Sequence, residues 1–103
     1  ARDYARAGFA TILEGIIGPW FLDVVRTELD GVDAHYAVLD APLDVCRARV
    51  TARGRDSMET VVAKMHGEFE RHRLPDHTIA ADRPTAEIAG AISDAVATGE
   101  LQL

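Results

Sequence analysis

The chain is expected to fold as an α/β protein, a parallel sheet enclosed in three layers, and three observations carry that expectation. Short apolar runs alternate with longer segments of helical periodicity along all 103 residues, the order that βαβ units produce. The run Tyr36-Ala37-Val38-Leu39 is apolar at successive positions, as in strands buried on both faces. Each run ends on a polar residue or a turn: Glu14-Gly15, Asp40-Ala41-Pro42 and Asp82-Arg83-Pro84. The carboxyl ends of such strands are where open α/β sheets hold ligands and catalytic groups.

Taken in order, residues 1–7 read as the end of a helix, with Tyr4 as its apolar contact and Gly8 as its cap. Residues 9–13 then form a buried strand that Glu14-Gly15 closes. Gly15-Ile16-Ile17-Gly18-Pro19-Trp20 is a loop whose glycines free the backbone while two isoleucines and the tryptophan build an apolar wall. That wall lines a substrate pocket, or else Trp20 anchors the core of the helix expected over residues 20–29, with Phe21, Leu22, Val24, Val25 and Leu29.

A turn at residues 30–33 leads into the central strand over 36–39. Pro42 fits the first position of the next helix, where its missing N–H is not needed. In that helix Leu43, Cys46 and Val50 make one apolar stripe, flanked by Arg49 and Arg53, four apart; Gly54 ends it and Arg55 follows. These arginines form a clamp for phosphate oxygens, or else offset the dipole of a last helical turn. Asp56 and Glu59 resemble a capping box for a helix over residues 57–73, carried by Met58, Val61, Val62, Met65 and Phe69 and stopped by Pro75. Residues 78–81 form a third strand. Thr85 is the expected N-cap of a last helix that buries Ile88, Ala89, Ile92, Ala95 and Val96 and ends at Gly99.

Seventeen acidic against eleven basic residues give a net charge of −6, which argues against a general affinity for nucleic acid or anionic membrane. The single Cys46 has no intrachain partner; a disulfide scaffold is excluded, a reducing cytoplasm fits, and apolar burial makes it a poor nucleophile. His66, His72 and His77 are six and five apart, not the three or four that bring two imidazoles to one metal on a helix. No apolar run reaches the ~18 residues of a membrane span. Neither an initiator methionine nor a signal-peptide pattern opens the chain, so a missing upstream part is expected.

The order Thr11-Ile12-Leu13-Glu14-Gly15-Ile16-Ile17-Gly18-Pro19-Trp20, then Val38-Leu39 with Pro42 and Cys46-x-x-Arg49-x-x-x-Arg53-Gly54-Arg55, then Met65-x-x-x-Phe69, resembles small P-loop kinases. The kinds it resembles are chloramphenicol phosphotransferase, gluconate kinase and zeta toxin. The resemblance spans nearly the whole chain and implies a three-layer parallel sheet of the P-loop NTPase kind. The family's G-x-x-x-x-G-K-[ST] loop, which cradles phosphates, does not occur among these residues. By the resemblance the chain is the carboxyl-terminal part of such a domain, its first βα unit missing and a gap left mid-sheet.

The resemblance implies ATP and Mg²⁺ as cofactors and transfer of the γ-phosphoryl group to a small-molecule hydroxyl, with the fragment inactive alone. It gives catalytic roles to Glu14, which organises Mg²⁺ or takes the substrate proton, and to Arg49 and Arg53. Arg49, Arg53 and Arg55 contact the nucleotide from the lid, Arg83 and Pro84 lie beside the adenine, and Gly15, Gly18, Pro19 and Trp20 face the substrate. Asp40 departs from the pattern, since an extra carboxylate repels phosphates. The rival expectation is a non-catalytic α/β interaction module that binds a partner through the 16–20 wall or an open sheet edge.

Overall fold

The computed structural model describes residues 2–103 as a mixed α/β chain. Helix α1 (Arg2–Arg6) is followed by an extended segment and a 3₁₀ turn (Pro19–Phe21) that runs into α2 (Leu22–Glu28). Strand β1 (Val38–Asp40), α3 (Leu43–Ala52), α4 (Glu59–Arg71), β2 (Thr78–Ala80) and α5 (Thr85–Thr98) complete the order. The two strands pair in parallel, Val38 with Thr78, Leu39 with Ile79 and Asp40 with Ala80. The βα alternation after residue 36 is thus present, as a two-stranded sheet.

Glycines close α1, α3 and α5. After α3, Gly54 adopts φ 69°, its N–H donates to Thr51 O and that of Arg55 to Val50 O at 3.1 Å, the Schellman closure that satisfies carbonyls a helix leaves open. Gly8 closes α1 in the same way, with Phe9 N–H on Tyr4 O at 3.1 Å and the Tyr4 and Phe9 rings edge to face, centroids 6.1 Å apart.

Several expectations are corrected. Residues 9–14 form no strand: an apolar run becomes a strand only when another strand takes its backbone donors and acceptors, and no described element pairs with it. Ile12 is accordingly 94% and Leu13 68% exposed. Pro42 does not open α3 from inside; with ψ 149° it is the flanking N-cap residue. Likewise Thr85 is the first helical residue of α5 and Pro84 its N-cap, with ψ 144°. The second main helix starts at Leu22 rather than Trp20 because Pro19 seeds a 3₁₀ turn ahead of it. The Asp56 side chain of the expected capping box lies outside the described residues; Glu59 begins α4 and pairs with Arg47 at 3.4 Å.

Among the described residues the buried apolar set is small, consisting of Leu22, Ala41, Ile79, Ala81 and Leu101. The Leu43, Cys46 and Val50 stripe is half-buried, and on α5 Ala89 and Val96 stay exposed. The carboxyl-terminal tail folds back to contribute Leu101, whose carbonyl takes the Tyr36 N–H at 2.9 Å, while Leu103 N–H reaches Ala34 O at 2.9 Å. A radius of gyration of 14.9 Å exceeds the ~13 Å of a compact domain of this length. No helix among the described residues is long and apolar enough to cross a membrane.

Candidate functional site

Because β1 and β2 are parallel and in register, their carboxyl ends come level, and the Ala81 N–H donates to Asp40 O at 2.7 Å across that end. Just beyond each strand stands a buried alanine, Ala41 or Ala81. Arg49 of α3 donates from Nη2 to Ala81 O at 2.7 Å, and Arg83 donates from Nε to Ala80 O at 3.0 Å. His66 of α4 donates from Nε2 to Ala41 O at 2.9 Å. Side chains from α3, α4 and the loop before α5 thus take up the carbonyls where the ladder stops.

Beside the arginines lies an acidic half of the site. Asp40 Oδ2 accepts from Arg73 Nη1 at 2.9 Å, and the same Nη1 lies 3.2 Å from Glu70 Oε1. This pairing resolves the difficulty of Asp40, whose charge is met by Arg73. The hydrogen bond from Arg73 to Asp40, then the charges of Asp40 and Glu70, push the guanidinium further into its charged form. Asp40, His66 and Glu70 each bring one ligand-type atom within 4.8 Å of the others'. Burial pushes the Cys46 thiol up, against the opposing charge of Arg49, so Cys46 is a packing residue whose Sγ lies 3.7 Å from Ala41 O.

Of the residues singled out by sequence, Arg49 and Arg83 meet at this strand end, and Pro84 follows as the cap of α5. Arg53 and Arg55 are exposed just past the carboxyl end of α3. They make no side-chain hydrogen bond or ion pair among the described residues. Glu14 and Gly15 sit in the exposed segment, and no such bond joins Glu14 to the arginines among the described residues.

The loop residues form a second concavity. The Trp20 ring packs on Phe69 and His72, with centroids 5.2 and 5.5 Å away, and lies directly over the buried Gly18. Pro19 and Trp20 with Leu22, Asp23, Arg26, Arg71, His72, Arg73 and Leu74 line an open groove of about 450 Å³. Sequence reasoning missed His66, Glu70 and Arg73. The signal was there for part of it, since His66 and Glu70 are one turn apart on a helix; Arg73 lies just past the end of α4. Neither protein-family models, curated proteins nor solved structures give a match to this chain.

Proposed function

We propose that the chain is the carboxyl-terminal part of an ATP-dependent, cytoplasmic phosphotransferase of the P-loop kind, built on a three-layer sheet, that acts on a small-molecule hydroxyl. One observation carries this reading. Arg49 and Arg83, 34 positions apart in the sequence, are both anchored on consecutive carbonyls at the carboxyl end of β2. Each keeps further guanidinium N–H groups, and these suit an anionic ligand at the place where parallel sheets bind one.

In this reading the fixed anchors hold Arg49 and Arg83 in place before the ligand arrives, so little order is lost on binding. Arg53 and Arg55 belong to the lid, Pro84 to the adenine side, and Gly15, Gly18, Pro19 and Trp20 to the acceptor side. Glu14, exposed and without a partner cation among the described residues, suits a role toward hydrated Mg²⁺. Mg·ATP, when bound, supplies the transferred group; the chain's own residues orient it and offset its charge. The phosphate cradle and its lysine are not among these residues, so residues 1–103 alone are inactive.

The test is to extend the reading frame upstream and titrate the longer protein with Mg·ATP by calorimetry. A strand leading into G-x-x-x-x-G-K-[ST], with binding weakened in both Arg49→Ala and Arg83→Ala, is the expected result. An upstream sequence without that motif, or affinity indifferent to both arginines, overturns the proposal. The rival interaction module is favoured by the exposure of Phe9, Ile12, Leu13 and Ile16, and it gains from the second outcome.

A further inference from the structure

We propose that Asp40, His66 and Glu70 form a binding site for a first-row transition-metal ion of the zinc type, with Arg73 as the internal cation that competes for it. The inference does not depend on the phosphotransferase reading. The three residues come from two elements, Asp40 from the carboxyl end of β1 and the other two from successive turns of α4. One donor atom from each lies within 4.8 Å of the rest. Ligands at about 2.0–2.2 Å from a zinc ion stand somewhat closer than that, so modest side-chain rotation completes the set.

The histidine is prepared for such a role. By donating Nε2–H to Ala41 O at 2.9 Å, a neutral ring keeps its other nitrogen unprotonated; a carbonyl that fixes the tautomer in this way is the usual support of a metal-bound imidazole. An imidazole with two carboxylates suits zinc, cobalt or manganese rather than calcium or magnesium, which prefer oxygen ligands alone. Two carboxylates and a neutral ring also balance a divalent charge. Side-chain exposures of 27% for Asp40 and 45% for Glu70 leave room for water at the remaining coordination positions.

Arg73 now supplies the positive charge. Its Nη1 touches both carboxylates, yet its side chain is 43% exposed, so it can swing into solvent when a divalent ion arrives. This predicts an unusual pattern, in which removing an arginine tightens metal binding.

The test titrates the 103-residue chain at pH 7 with Zn²⁺ by calorimetry and with Co²⁺ by its visible absorption, far-UV circular dichroism checking the fold of every variant. One equivalent should bind. His66→Gln, which keeps a donor for Ala41 O, and Glu70→Gln, on an exposed helix position, should each lower affinity at least tenfold. Arg73→Gln should raise it severalfold, and His72→Gln, which removes the surface pair with Glu68, should leave it unchanged. Should His66→Gln fail to fold, Glu70→Gln decides. Absence of saturable binding, binding that survives Glu70→Gln but is lost with His72→Gln, or unchanged affinity in Arg73→Gln would overturn the assignment.

Discussion

A methyl group added at Gly18 is a sensitive probe of the aromatic wall. The Cβ of alanine there would lie 2.3 Å from two atoms of the Trp20 ring and 2.5 Å from a third, well inside ordinary van der Waals separation. Backbone strain plays no part, since Gly18 has φ −72°, a value any residue adopts. The ring cannot yield freely, because it also packs against Phe69 and His72.

Overpacking of this kind costs about 1–3 kcal/mol. Pushing the ring off either aromatic neighbour forfeits about 0.5–1.5 kcal/mol more. Against that, alanine restricts the unfolded chain and returns about 0.4–1 kcal/mol. The cost therefore outweighs the gain, and Gly18→Ala should destabilise by about 1–3 kcal/mol. Because Trp20 is the only tryptophan, urea unfolding followed by its fluorescence reads both the stability and the ring's surroundings. An unchanged midpoint with an unchanged native emission maximum would refute the argument, since it would mean that the ring does not rest on Gly18.

Burial raises the Tyr36 pKa above its usual 10.0, and its hydroxyl donates to Ile17 O at 2.6 Å. The stability it contributes is therefore complete below about pH 10 and is lost as pH rises through the raised value. Tyr36→Phe should flatten that alkaline decline in a series of melts, and an identical decline in the variant would disprove it. Asp40→Asn should loosen Arg73 and lower the melting temperature only slightly, as expected of a half-exposed pair, with the difference fading in high salt; a large, salt-independent drop would mean that Asp40 is part of the core. The exposed Ile12 and Leu13 should drive concentration-dependent self-association seen by sedimentation. Ile12→Asp with Leu13→Glu should abolish it, and unchanged association would place the sticky surface elsewhere.

The helices after residue 40 were legible because their signals are local. Gly54 and Gly99 end α3 and α5 as expected, both at positive φ, whereas α4 stops at Arg71, ahead of Pro75, which opens a 3₁₀ turn instead of ending the helix. The one-residue offsets at Pro42 and Thr85 arise because a proline fits equally well just outside a helix. Residues 9–13 misled for a different reason. Composition says that a run can be a strand, but pairing decides whether it is, and pairing is non-local. The meeting of Arg49 with Arg83 and of Asp40 with Arg73 depends on strand register and on how α3 and α4 pack, neither of which a single sequence displays. The proximity of His66 and Glu70 is legible once carboxylates are counted with imidazoles one helical turn apart.

The alanines after the strands join the structural and functional readings of Arg49. A carbonyl past the end of a ladder has no strand partner, and at 5% exposure neither Ala41 nor Ala81 leaves much room for water. Leaving such a group unmet costs about 1–3 kcal/mol, so the bond from Arg49 Nη2 to Ala81 O is first a structural necessity, and its geometry fixes where the rest of the guanidinium points. Lysine at this position can satisfy one carbonyl with its ammonium group, but it has no second fork left to offer an anion. Arg49→Lys should therefore keep stability within about 1 kcal/mol of the original, whereas Arg49→Ala should lose about 1–3 kcal/mol. Both should lose binding of pyrophosphate, titrated by calorimetry as a minimal anionic probe. If lysine destabilises as much as alanine, the carbonyl bond is not what holds the strand end. If lysine binds pyrophosphate as tightly as arginine, the free edge of the guanidinium is not the anion contact.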